Sequence, residues 1–350
     1  MKSKERILHW ARPEIVALKP YQSARQEFIG NGQEMILLDA NESPFSSRVN
    51  RYPDPMQTKL KSRLAEAKGI QRNQIFLGNG SDEILNQLMV TFCQPGKEKA
   101  IILPPTFGMY QVCADINNIE TINVPLTNTF QLDVDAILSA QSTSTKMIFI
   151  PSPNNPTGNC FERGAILSIL NGFNGLVVLD EAYVEFAMEF SCIDLLEAYD
   201  NLLIVQTFSK AQGMAGVRLG MCFAHPEIIA LLHKVKAPYN INTLTQDAVL
   251  KRLDEQGLVQ QQVQQILMEK ERVLNELASI SFIKTIYPSQ ANFFLTKVDN
   301  SKKRYAELIE RGIVVRNPSK NSNCANTLRI TIGTTEENNA LISALRTMDN

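Results

Sequence analysis

A chain of 350 residues, 44% of them hydrophobic, can bury enough apolar surface for two domains, and 35 basic against 36 acidic residues leave a formal net charge of −1. With no long block of like charge, neither nucleic acid nor an anionic membrane is expected as the main partner. The six cysteines form no C-x-x-C pair and the three histidines have no metal-ligand spacing, so a reduced, cytoplasmic protein without zinc is expected.

The opening MKSKERILHWARPEIVALKP is interrupted by charge throughout, which suits neither a signal peptide nor a membrane span. No later apolar run approaches the roughly 20 residues that cross a bilayer. SDEILNQLMVTF has a helical pattern and follows Gly78-Asn79-Gly80. Short apolar runs then alternate with helical stretches such as ERGAILSILNGF. The runs are AIILPP (100–105), KMIFIPSP (146–153), GLVVLDEAY (175–183) and LLIVQTFSK (202–210). Continuous rather than alternating apolar residues suit strands covered on both faces of a parallel sheet. The expected fold is therefore α/β, a mostly parallel central sheet flanked by helices.

After about Ala237 the pattern changes. LTQDAVLKRL and QGLVQQQVQQILMEKERVLNELA read as helices, and SFIKTIYP, NFFLTK, GIVVR and TLRITIG as strands of a smaller α+β domain. The expected division is an N-terminal arm over 1–30, a large domain over 31–240 and a small C-terminal domain over 241–350.

Three central strands end in polar clusters: SPNNPTG, DEAY and TFSK. Ligands of open parallel sheets bind beyond the carboxyl ends of the strands, so these clusters should converge. Each has an ordinary reading alone. Asp180 could cap a helix, Tyr183 could be a packed aromatic, SPNNPTG could be a simple turn and Lys210 a solvated charge.

Their order resembles the fold-type I aminotransferases that use pyridoxal 5′-phosphate. Further stretches resemble the histidinol-phosphate aminotransferases in particular. These are Pro20-Tyr21-Gln22-Ser23-Ala24-Arg25, Leu38-Asp39-Ala40-Asn41-Glu42, Arg51-Tyr52-Pro53 and Gly80-Ser81-Asp82-Glu83, then Pro104 to Tyr110, Lys236 to Tyr239 and Leu328 to Thr331. The resemblance runs in order over essentially the whole chain.

It implies a covalent link between Lys210 and the cofactor aldehyde, with Asp180 at the ring nitrogen. Tyr183 and Asn155 would hydrogen-bond the ring's phenolic oxygen. Phe107 would stack on the ring where relatives commonly have tyrosine. Gly80, Ser81, Asp82, Thr207, Ser209 and Arg218 would cup the phosphate at a helix N-terminus. Small neighbours of Lys210, including Gly213 and Gly216, would let backbone approach the ligand. The resemblance also implies that Tyr52 reaches the phosphate from a partner subunit, making a homodimer with shared sites. Arg316 and Arg329 would fork the anionic groups of the substrate, with Tyr21 and Asn41 close by.

The implied reaction is L-histidinol phosphate plus 2-oxoglutarate giving imidazole acetol phosphate plus L-glutamate, a step of histidine biosynthesis. Two enzyme rivals share the cofactor apparatus: an aromatic or broad-range aminotransferase, and threonine-phosphate decarboxylase, a lyase. Regulators with an aminotransferase-like domain add a basic DNA-binding module, which is not expected ahead of an arm that begins almost at once.

Overall fold

Apolar runs that lack alternation become strands buried on both faces. In the computed structural model, which describes residues 3–21 and 36–349, six of them and one partly exposed polar strand form a single sheet. They are β1 (Ile75–Asn79), β2 (Lys99–Ile102), β3 (Glu120–Asn123), β4 (Thr145–Pro151), β5 (Leu176–Asp180), β6 (Leu202–Thr207) and β7 (Leu219–Ala224). Their order across the sheet is β1-β7-β6-β5-β4-β2-β3. Only β7 runs against its neighbours, pairing antiparallel with both β1 and β6.

Successive residues of each strand feed opposite cores. Leu77, Ile101, Ile148, Val177 and Ile204 pack on one face, and Phe76, Ala100, Phe149, Val178 and Leu203 on the other. The first core is closed by Leu60, Leu64, Ile166, Ile169 and Val249. The second is closed by Ile84, Leu88, Tyr110, Ile228 and the N-terminal residues Ile7, Trp10 and Ile15. All six cysteines are free and buried. No helix among the described residues is long and apolar enough to cross a membrane.

A second sheet of three antiparallel strands, β8 (Ile283–Ile286), β9 (Phe293–Val298) and β10 (Thr327–Thr331), has the order β10-β9-β8. The helix Gln256–Leu277 bridges the two parts. Its Val273 and Leu277 pack with the small sheet, whereas Val259 and Val263 pack against Tyr183 and Phe293.

GIVVR does not form the strand its composition suggests. Only Arg316 makes an isolated bridge, to Arg329. Gly312 turns the chain at φ 75°, Val314 is 78% exposed, and Pro318 has no N–H to extend a ladder. The Gln22–Arg25 portion of the resemblance, and residues 26–30 of the expected arm, lie outside the described residues.

Candidate active site

The carboxyl ends of β1, β2, β4, β5 and β6 share one edge of the large sheet. Because β7 is reversed, its first residues start at that edge, which brings in Arg218 immediately before Leu219. A cavity of about 700 Å³ opens there. Ser81 and Asp82 line it from the helix after β1, Phe107 from the loop after β2, and Asn155 from the turn after β4. Asp180 and Tyr183 come from the end of β5, and Thr207, Ser209 and Lys210 from the end of β6. The small-sheet side contributes Arg316 and Arg329.

Asp180 is 4% exposed, and its carboxylate has two anchors. Oδ1 accepts from the Ala182 N–H at 3.1 Å, and Oδ2 accepts from the Tyr110 hydroxyl at 2.7 Å. Burial pushes its pKa up to about 6, against the lowering effect of those two bonds. Lys210 Nζ lies 5.2 Å from the Tyr183 ring centroid. Burial, and next the Arg329 guanidinium, hold the Lys210 amine below its usual pKa. Burial likewise pushes the Tyr183 phenol up to about 12, with Arg329 opposing.

The Asn155 amide stands 3.5 Å from the Tyr183 hydroxyl as a donor, while its Oδ1 accepts from Arg329 Nη1 at 2.5 Å. Asn155 thus links the phenol to the arginine. Arg329 is also braced over the Phe293 ring, 5.3 Å from its centroid.

At the opposite end, Gly80 caps the helix Ser81–Phe92 with φ 78°. That φ favours glycine, and a Cβ on Gly80 would lie 2.6 Å from Arg218 Nη2 and push the guanidinium away. Arg218 is held by Asp82 Oδ2 at 3.3 Å, with both side chains partly exposed. Thr207 Oγ1 bonds Ser209 Oγ at 3.0 Å and the Leu219 carbonyl at 3.2 Å, tying the loop after β6 to β7. Helix N–H groups, two hydroxyls and an arginine therefore face one end of the cavity, a donor set suited to a phosphate.

The family "Aminotransferase class I and II" matches residues 35–345. The chain belongs to the class I and II aminotransferases. Within this family it is 50% identical over 339 residues to a histidinol-phosphate aminotransferase of Christiangramia forsetii, covering 97% of each chain. It is also 50% identical over 342 residues to one of Flavobacterium psychrophilum, covering 98% of this chain and 99% of that one. The crystal structure of the histidinol-phosphate aminotransferase from Clostridium acetobutylicum superposes with a TM-score of 0.81 at 25% identity, over 87% of this chain and 92% of that one. The fold is that of the fold-type I aminotransferases.

Not every residue expected at an aminotransferase site reaches this cavity within one chain. Tyr52 and Asn41 line a separate cavity of about 420 Å³, and Tyr52 stacks on Tyr239 with centroids 4.4 Å apart. Tyr21 is 73% exposed and lines neither cavity. Gly80 contributes through its missing side chain rather than by lining the space. Sequence reasoning also missed two members. Tyr110 looks like one more core position of an amphipathic helix. Thr106, whose Oγ1 is buried at the cavity wall without a hydrogen-bond partner among the described residues, belongs like Tyr110 to the Pro104 to Tyr110 stretch of the resemblance, which gave neither a role.

Proposed function

We propose that the protein transfers the amino group of L-histidinol phosphate to 2-oxoglutarate, giving imidazole acetol phosphate and L-glutamate, with pyridoxal 5′-phosphate as cofactor. The observation that carries the reading is the convergence of Lys210, Asp180, the Asn155–Tyr183 pair and two arginines on one cavity. The residues present fit the cofactor. A buried carboxylate, an amine held below its usual pKa, a phenol–amide pair and a phosphate-type donor set share the space with the unpartnered Thr106 hydroxyl.

When bound, pyridoxal phosphate supplies an aldehyde that condenses with amines and a ring that delocalises an electron pair. Lys210 holds the aldehyde carbon between turnovers. Once displaced, its neutral amine would be the base placed to take the proton from the substrate carbon that bears nitrogen and to return it on the other side of the transferred nitrogen. Burial and the charges of Arg329 and Arg218 favour that neutral form. Asp180 would stabilise a protonated ring nitrogen, Tyr183 and Asn155 would hold the ring oxygen, and Phe107 would pack on the ring face. Ser81, Asp82 (through its N–H), Thr207, Ser209 and Arg218 hold the phosphate. Asp82 also orients Arg218.

Arg329 and Arg316 provide two forks for two kinds of substrate. 2-Oxoglutarate brings two carboxylates and histidinol phosphate one phosphate, and a guanidinium binds either bidentately. Tyr21 and Asn41, which lie away from this cavity within one chain, would join the substrate end only from a second copy.

A second copy of the chain is part of this reading, contributing Tyr52 to the phosphate. Supporting it, the segment before Tyr52 exposes Ile36 at 89%, Leu38 at 88% and Phe45 at 82%, an apolar stretch that needs cover. Six free, buried thiols suit a cytoplasmic location. The smaller domain is assigned from Gln256 rather than 241, since Val249 belongs to the core of the large sheet.

Initial rates with both substrates varied test the reaction. Parallel double-reciprocal lines and one glutamate per keto product are expected. Carbon dioxide released from threonine phosphate without 2-oxoglutarate would instead assign a lyase.

A further inference from the structure

Tyr110 lies on the first turn of the helix Met109–Ile116 and is fully buried. Its ring is fixed on two sides, stacked on Phe149 with centroids 4.9 Å apart and edge-on to Phe107 at 5.7 Å. Its hydroxyl donates to Asp180 Oδ2 at 2.7 Å. Burial first, and then the Asp180 charge, raise the phenol well above its ordinary pKa, so it remains a proton donor throughout the working range.

We propose that Tyr110 is a positioning residue that keeps Asp180 an oriented carboxylate and couples it mechanically to Phe107. Asp180 has few other supports. The Ala182 N–H fixes its second oxygen, Lys210 attracts its charge from β6, and Asp82 repels it from the helix after β1. The Tyr183 phenol is also near and is neutral at working pH. Without the Tyr110 hydroxyl, one buried carboxylate oxygen loses a short hydrogen bond and gains no solvent. Such a group takes up a proton more readily, and a neutral acid cannot balance a ring cation. Phe107 lies two residues before the helix that carries Tyr110 and meets its ring edge-on, so a shift of the ring-stacking residue also shifts the donor to Asp180.

The location of the cofactor ring rests on the reading above, whereas the Tyr110–Asp180 pair does not. The test therefore uses the apo-protein. With carboxyl-labelled aspartate, the Asp180 resonance is assigned by its loss in Asp180→Asn and titrated by NMR. In Tyr110→Phe, which keeps the ring, its midpoint should move up from about 6 by about one unit. In the holoenzyme, kcat should fall while KM for glutamate stays unchanged, since the change acts on the ring's counter-charge and not on the substrate.

Should Tyr110→Phe fold poorly, 3,5-difluorotyrosine at position 110 gives a stronger donor and should move the midpoint down. An Asp180 midpoint unmoved by either change overturns the proposal. Because no substrate is present, that failure leaves the transamination assignment to its own turnover test.

Discussion

Gly220→Ala is the change that most directly probes how the phosphate end is built. Gly220 pairs with Gly78 of the edge strand β1 and with Thr207 of β6, so it is flanked by backbone on both sides. A Cβ there would lie 2.7 Å from the Gly80 carbonyl oxygen and closer still to Gly80 C and Ser81 N. All three are backbone atoms, so no side chain can swing aside. The helix start must retreat by about 1 Å to reach ordinary carbon contacts of ~3.5 Å. Overpacking of this kind costs about 1–3 kcal/mol, which in a chain of this size lowers Tm by a few degrees. The same retreat stretches hydrogen bonds from the helix N–H groups to a phosphate. Losing one or two such bonds to a charged group weakens binding about 10- to 100-fold. Equilibrium titration of apo-protein with pyridoxal phosphate and with pyridoxal separates the effects. Only the phosphorylated ligand should weaken. Equal loss for both, or no loss for either, would refute the assignment of this helix start to the phosphate.

Mixing Lys210→Ala chains with Tyr52→Ala chains, each inactive alone, should restore about a quarter of wild-type activity, because half the dimers are hybrids with one intact site. No recovery after co-refolding would place Tyr52 outside a shared site. Asp180 has a folded pKa above its unfolded value of 3.8, so the native state holds its proton longer. Its contribution therefore lowers stability as pH rises from about 4 to 6, by up to about 3 kcal/mol. Urea melts of the apo-protein should show Asp180→Asn gaining on wild type over that window, while turnover falls by about 100-fold or more for want of a counter-charge. Arg329→Lys keeps the charge but loses the fork to Asn155 and substrate, and should lower kcat/KM for glutamate about 10- to 100-fold. An unchanged value would remove Arg329 from the substrate site.

The clusters after β4, β5 and β6 were legible because an unbroken apolar run followed by polar residues marks a buried strand and its mouth. Arg218 carries no such mark. Its place follows from the reversal of β7, and no local pattern in LGMCFA reveals strand direction. Tyr110 hides for a different reason. At helical spacing beside Cys113 and Ala114 it looks like packing, and only the fold brings Asp180 to its hydroxyl. GIVVR has strand composition but no sheet face to cover Val314, so tertiary context overrides propensity. Tyr21, Asn41 and Tyr52 mark the limit in the other direction. Their motifs stand out in the sequence, yet one chain does not deliver them to the cavity that holds Lys210.

The most direct test of the central assignment is a single-turnover half-reaction. Holoenzyme is mixed in turn with histidinol phosphate, phenylalanine and threonine phosphate, and the absorbance of the lysine-bound cofactor is followed with product analysis. Histidinol phosphate should convert the cofactor fully to its amine form with one equivalent of keto product. Conversion by phenylalanine alone would contradict the assignment.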